Sequence, residues 1–152
     1  MSTPSQEDYL EVICRLVEAK GYARVSDIAD ALQISQPSVS KMIRRLNQDG
    51  LLEVERYRGF TLTAKGREQG GLLVRRHSIL ERFLKNLGMT DRAVVWRDVE
   101  GIEHFVSPVT LARLQALNGF IEAHPDWWQR FLAACPMVEE GAHPVEDAPQ
   151  AP

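Results

Sequence analysis

Three side chains in the segment Glu100-Gly-Ile-Glu103-His104 have the types and spacing that hold a metal ion. Read as a helix, Glu103 and His104 follow Glu100 by three and four residues, so all three project from one face. Carboxylate oxygens grouped with an imidazole nitrogen suit a divalent cation of the manganese or iron type. A solvated acidic helix face is the plainer reading of the same residues. Other candidate donors lie upstream. Asp8 and Glu11 are three apart and share a face of the first predicted helix, where exposed acids ordinarily complement the helix dipole. His77 follows Arg75-Arg76 on a long predicted helix and, alone, reads as a surface or core histidine. Pooled, these groups supply four carboxylates and two imidazoles, enough for two adjacent ions with bridging carboxylates.

Other chemistry-bearing residues are less suggestive. Glu81, one turn after His77, is placed to orient it, although a surface acid is the simpler reading. His124 and His143 have no convergent partners. Cys14 and Cys135 lie far apart without CxxC spacing, so they form no disulfide framework or zinc pattern. Cys14 is near enough to the acids of the first helix to approach an ion, but Ile13 and Leu16 mark it as a core thiol.

The elements that must position these groups are mostly helical. Tyr9, Ile13, Leu16 and Val17 predict a first helix over 5–20, ended by Gly21. Ser26 is the expected cap of a short second helix carrying Ile28, Ala29 and Leu32. After the turn Gln33-Ile-Ser-Gln36, a third helix begins around Pro37 and stops at Gly50. It buries Val39, Met42, Ile43 and Leu46. Its outer side carries Ser38, Lys41, Arg44, Arg45 and Gln48. A short helix, a tight turn and a second helix with a polar-basic face form a helix-turn-helix pattern. Leu51–Arg56 and Phe60–Thr63 read as a hairpin around Tyr57-Arg58-Gly59, a wing with Arg56 and Arg58 near its tip.

Such a helix reads base edges with its N-terminal residues, here Gln36, Pro37, Ser38 and Ser40. Lys41, Arg44 and Arg45 lie further along, where phosphate contact is natural, and Arg58 on the wing suits the backbone or a minor groove. Thr63 is placed to cap a long helix to about Leu87, in which Gly66, Gly70 and Gly71 imply close backbone packing. A fifth helix starts at Thr90 or Asp91 and carries Val94, Val95, Val99 and Ile102. Ser107-Pro108 opens a sixth and Pro125 a seventh, with Trp127, Trp128, Phe131 and Leu132 serving either an internal core or a dimer contact. The tail after Pro136 is poor in apolar groups and reads as disordered.

With 152 residues, 44% hydrophobic and 26% charged, the chain suits one compact domain or two small ones sharing a core. No apolar run reaches the roughly 20 residues of a membrane span, and no secretory signal opens the chain, so a cytoplasmic location is expected. The net charge of −3 conceals a division: residues 36–76 hold nine Lys/Arg against four Asp/Glu, and residues 77–152 hold six against eleven. The basic segment coincides with the helix-turn-helix and wing, so the acidic total does not exclude DNA. A DNA-reading element beside an ion site suggests that the ion controls DNA binding.

Several motifs together resemble the manganese-responsive branch of the diphtheria toxin repressor family. They are Thr3-Pro-Ser-x-Glu-Asp-Tyr9, Lys20-Gly-Tyr-Ala-Arg-Val-Ser-Asp-Ile-Ala29, Tyr57-Arg-Gly59, Leu62-Thr-x-Lys-Gly66, Arg76-His77 and Asp98-Val-Glu-Gly-Ile-Glu-His104. The likeness covers residues 3–107 in motifs and the later helices in arrangement. It implies a mainly α fold with a small β-wing: an N-terminal winged helix-turn-helix over 1–63, then an α-helical metal-binding and dimerisation domain over 64–135, with helix 64–87 as connector and a tail over 136–152. It also implies a homodimer that binds a palindromic double-stranded DNA operator and represses manganese-uptake genes, without enzymatic activity or a small-molecule substrate.

By the same resemblance, Asp8, Glu11, His77, Glu100, Glu103 and His104 are ligands of a two-ion Mn²⁺ site in each subunit. Glu11, His77 and Glu103 would hold one ion, and Asp8 and His104 the other, with Glu100 nearby. Iron-responsive relatives carry softer Met and Cys at the positions of Asp8 and Glu100, and they add an SH3-like C-terminal domain that this chain lacks. Both differences point to manganese. The rival readings are a winged-helix repressor responding to iron, zinc or an organic ligand, and a two-metal hydrolase. The hydrolase would need open coordination positions and a catalytic constellation absent from the sequence.

Overall fold

The computed structural model describes residues 5–55 and 57–135, and among these residues it has seven α-helices, one short 3-10 helix and one β-hairpin. The expected position of Arg56 at the wing tip, the disordered tail over 136–152 and His143 lie outside the described residues. The described chain divides into two compact units between Ser78 and Ile79.

In the first unit, α1 (Gln6–Lys20) starts with a reciprocal cap. The Asp8 N–H donates to Ser5 Oγ at 3.2 Å, and the Ser5 N–H donates to Asp8 Oδ2 at 2.6 Å. The helix buries Tyr9, Leu10, Ile13 and Cys14, together with Glu11, and ends at Gly21 with φ of 86°. The second helix, α2 (Val25–Leu32), starts earlier than Ser26 would place it: Arg24 is the N-cap and Ser26 lies inside the helix. Asp27 explains the shift. Its carboxylate accepts the Arg24 N–H at 3.0 Å while paired with Lys20, so a charged acceptor secures the helix start ahead of the serine hydroxyl. Helix α3 (Gln36–Gln48) follows, with Val39, Ile43 and Leu46 buried and Met42 half-buried.

The wing is β1 (Leu52–Glu55) paired antiparallel with β2 (Gly59–Leu62), in the register Leu52↔Leu62 to Glu55↔Gly59. Ala23 adds a backbone bridge to Phe60, with N···O distances of 2.9 and 2.8 Å. A Cβ at position 59 would collide with the Ala23 carbonyl, so the bridge requires Gly59.

Helix α4 (Ala64–Asn86) is capped by Thr63, whose hydroxyl accepts the Gly66 N–H at 3.0 Å and donates to the Gly50 carbonyl at 2.7 Å. Close packing accounts for two of its three expected glycines. A Cβ on Gly66 would strike the Leu51 carbonyl, and one on Gly70 would sit 2.9 Å from Cys14 Cβ; Gly71 has open space. The core of this unit joins Tyr9, Leu10, Ile13, Ile28, Val39, Leu46, Leu62 and Leu73.

The second unit begins with the remainder of α4, which Gly88 ends at φ of 93°. Asp91 caps α5 (Arg92–Ile102) by accepting from the Ala93 and Val94 N–H groups. A 3-10 turn (Glu103–Phe105) leads to α6 (Pro108–Ala123), capped by Ser107, and α7 (Pro125–Ala134). Leu80, Leu84, Val95 and Val99 form its core. Asn118 is buried with both ends of its amide bonded: it donates to the Ile79 carbonyl and accepts from Asn86, each at 3.0 Å. Trp128 is internal and donates its indole N–H to the Asn86 carbonyl, whereas Trp127 and Phe131 are 51% and 37% exposed. Among the described residues no helix is long and apolar enough to cross a membrane.

The glycine contrast gives a paired expectation for thermal melts. Gly66→Ala should lose about 2 kcal/mol, since the clash is with backbone that cannot move aside cheaply. Gly71→Ala should instead gain up to about 1 kcal/mol from helix propensity. The cysteines separate as sharply. Cys14 is buried, and burial together with the neighbouring Glu18 carboxylate pushes its thiol up to about 11, while Cys135 is exposed. A thiol reagent at pH 8 should label Cys135 promptly and Cys14 only after unfolding; rapid labelling of both would contradict this packing.

Candidate metal centre and nucleic-acid face

Helices α1 and α4 bring two of the expected ligands side by side. Glu11 Oε1 lies 3.4 Å from His77 Nδ1, and the two residues are only 7% and 5% exposed. Asp8 stands one turn before Glu11 on α1. Its Oδ2 serves the helix cap while Oδ1 is buried, so the plain helix-end role anticipated for it occupies only one of its oxygens. Arg15, four residues after Glu11, donates to the same Oε1 from Nη2 at 2.7 Å and Nε at 3.1 Å. Sequence reasoning passed over Arg15, although its i, i+4 spacing from an acid was a signal.

In the second unit, Glu103 is 2% exposed and its Oε1 lies 3.5 Å from His104 Nε2; His104 is more open and Glu100 is half-buried. The expectation that Glu100, Glu103 and His104 share one continuous helix face needs amending. Helix α5 stops at Ile102, so Glu100 is helical while Glu103 and His104 lie in the 3-10 turn. The chain tightens over Glu103–Phe105 and then extends through Val106 and Ser107, where Pro108 disfavours helical backbone at Ser107.

This donor set fits a divalent cation. A buried carboxylate is costly without a cationic or hydrogen-bonding partner, and each unit sets one beside an imidazole. Other candidates have ordinary structural roles. Glu81 pairs with Lys85 at 2.6 Å, His124 stacks on Phe120 and contacts its carbonyl, and the Cys14 thiol donates to Glu18.

The polar side of α3 is presented as expected. Gln36, Pro37, Ser38, Lys41, Arg44 and Arg45 are exposed and Ser40 is half-buried. The Ser35 and Ser38 hydroxyls are paired at 2.9 Å, and Arg44 reaches back to the Ser40 carbonyl. Arg58 is exposed on the wing beside Tyr57, which is 91% exposed and has φ of 72°. Arg24 was not anticipated as a wing support. Its Nε donates to the Arg58 carbonyl at 3.2 Å, and its guanidinium lies over the Tyr22 ring, so it ties the wing turn to the start of α2.

Two family models match, the iron-dependent repressor N-terminal DNA-binding domain over residues 1–60 and the iron-dependent repressor metal-binding and dimerisation domain over 63–133. The HTH-type transcriptional regulator MntR of Lysinibacillus sphaericus is 49% identical over 126 residues, covering 83% of this chain and 90% of that protein. That of Oceanobacillus iheyensis is 48% identical over 122 residues, covering 80% and 82%. Among solved structures, the manganese regulator SloR aligns with a TM-score of 0.66 at 34% identity, covering 78% of this chain and 55% of that one. A manganese-dependent transcriptional repressor in complex with manganese gives 0.66 at 33% identity, covering 76% and 53%. The chain thus spans about half the length of these solved relatives. Its winged helix-turn-helix, its helical second unit and these matches place the chain in the iron-dependent repressor family of metal-dependent, DNA-binding transcriptional regulators.

Proposed function

We propose that this chain is a manganese-responsive repressor that binds a palindromic operator as a homodimer and controls manganese-uptake genes in the cytoplasm. The observation that carries the metal reading is the buried Glu11–His77 pair, a carboxylate and an imidazole 3.4 Å apart and withdrawn from water. Glu11 and His77 would hold one Mn²⁺ together with Glu103, and Asp8 and His104 a second, with Glu100 beside them. The names of the relatives support manganese, and an oxygen-rich donor set suits a hard ion. The relatives are regulators, which supports a role without catalytic turnover. We take the DNA-binding domain as residues 1–63 and the metal-binding and dimerisation domain as 64–135.

When bound, the divalent ions supply positive charge that offsets mutual repulsion among clustered carboxylates. The residues of the chain do the rest. Asp8, Glu11 and His77 belong to the helices that support the winged helix, whereas Glu100, Glu103 and His104 belong to α5 and the turn after it. Ligation by both sets would restrict the separations that two DNA-binding domains can adopt. Metal then favours the DNA-competent arrangement through its higher affinity for that state. In that state Gln36, Pro37, Ser38 and Ser40 would meet base edges, and Lys41, Arg44, Arg45 and Arg58 the backbone. Trp127, Phe120 and Phe131 offer the second unit apolar surface suited to a partner subunit.

Fluorescence anisotropy tests this reading with a duplex that the protein itself selects from randomised DNA in Mn²⁺. Affinity should rise at least about tenfold with Mn²⁺, roughly 1.4 kcal/mol of coupling, and His77→Ala should abolish the rise. Equal affinity with and without the ion would reject manganese control. A parallel titration with Fe²⁺, Zn²⁺ and Co²⁺ must be read on operator binding, because nitrogen and oxygen sites bind several of these ions more tightly than manganese.

The DNA face has its own signature. Lys41→Ala and Arg44→Ala should weaken all duplexes alike and lower the salt slope by about one each. Gln36→Ala should instead relax preference at one base position, by roughly 1–3 kcal/mol. Salt slopes that do not change in either lysine or arginine variant would remove α3 from the backbone contacts.

A further inference from the structure

We propose that Arg15 is a built-in competitor for the Glu11 carboxylate and thereby sets the metal concentration at which Glu11 becomes a ligand. The inference rests on the reading of Glu11 and His77 as metal ligands. Three nitrogens converge on one oxygen: Arg15 Nη2 at 2.7 Å, Arg15 Nε at 3.1 Å and His77 Nδ1 at 3.4 Å all face Glu11 Oε1. That oxygen is the one turned toward the imidazole, so a cation shared by Glu11 and His77 would use it. A carboxylate oxygen has two lone-pair directions. With both guanidinium N–H groups already on it, a divalent cation binding Oε1 would meet a positive charge at the same oxygen, so the cation and the guanidinium compete for it.

An arginine bonded only to the other carboxylate oxygen would orient Glu11 without contending for the oxygen beside His77. Here both Arg15 hydrogen bonds fall on the oxygen that lies 3.4 Å from His77 Nδ1. The pair also has the favourable helical order, acid four residues before base, which strengthens the metal-free contact. Displacement is feasible because the Arg15 side chain is 44% exposed and emerges at the helix surface, while that of Glu11 is 9% exposed and held in place. Departure also removes a positive charge from beside a divalent ion. Without metal, the same guanidinium satisfies a buried carboxylate that would otherwise destabilise the first unit.

The test uses the full chain and Mn²⁺ alone, with free ion followed by its electron paramagnetic resonance signal. Arg15→Gln should bind Mn²⁺ about threefold to tenfold more tightly, in keeping with loss of a partly exposed charge-assisted pair. Arg15→Lys should fall between that variant and the parent. The melting temperature gives a second readout with opposing signs. Arg15→Gln should melt lower than the parent without metal, yet show a larger rise on saturation with Mn²⁺.

Equal or weaker Mn²⁺ affinity in Arg15→Gln, with no ordering of the lysine variant, would overturn the competitor role. His77→Ala separates that failure from failure of the underlying reading. If it loses Mn²⁺ while Arg15→Gln binds like the parent, only the arginine inference falls. If it binds like the parent, the Glu11–His77 ligand pair falls with it.

Discussion

A carboxylate and an imidazole enclosed between α1 and α4 set the terms for the first unit. Glu11 and His77 are nearly inaccessible to water, and Glu11 sits on the same helix as the core residues Leu10, Ile13 and Cys14. Burial of an acid at such a position is expensive, and it persists only where positive or polar partners offset the loss of hydration. The chain supplies Arg15 and His77 for that purpose. An apolar residue at position 11 would pack there more simply. Retaining an acid is a poor device for stability and a good one for binding a cation, which is why this pair, more than the exposed acids elsewhere, supports an ion-dependent function.

His77 reaches α1 because two glycines remove the side chains that would otherwise hold α4 away from Leu51 and Cys14. Gly66, Gly70, Leu73 and His77 recur at intervals of four, three and four residues, so they form one stripe along the helix. The two glycines let backbone pass where a methyl group would strike the Leu51 carbonyl or the Cys14 side chain. Leu73 then fills the core, and His77 meets Glu11 one turn later. The helix propensity lost at the glycines is the cost of that approach.

Much of this was legible in the chain because periodicity and punctuation act locally. The α3 stripe, the Thr63 and Asp91 caps and the proline-led α6 and α7 each depend on neighbours within a turn, and they emerged close to their expected bounds. Failures arose where two local signals competed or where no local signal existed. Ser26 lost the α2 cap because Asp27 offered a charged acceptor braced by Lys20. The Glu100–His104 cluster lost its uniform helix at Ile102, where the chain tightens into a 3-10 turn that no residue within the cluster signals. Gly71 lacks the close neighbour that explains Gly66 and Gly70, since only the tertiary arrangement tells which face of α4 is covered. Arg15 and Arg24 escaped notice for a different reason. Long cationic side chains usually signal a solvated surface, and their specific acceptors become visible only when helices and wing are assembled.

The location of the donors also constrains how an ion could switch DNA binding. The apolar center of the first unit, with Ile13, Ile28, Leu46 and Leu62 almost wholly buried, contains none of the candidate ligands. Glu11 has partners of its own chain in Arg15 and His77. Removing metal therefore leaves the winged helix with an intact core and a satisfied carboxylate, so ion control by unfolding the DNA-reading head is disfavoured. Simple charge neutralisation is a weak alternative, because fields between exposed groups are screened within about 8–10 Å at ordinary salt. What remains is a change in the populations of arrangements open to folded units, with ligands contributed by separate stretches of chain. In such a device the affinity of the ion and the free energy of rearrangement are linked, and a guanidinium competing for Glu11 shifts both.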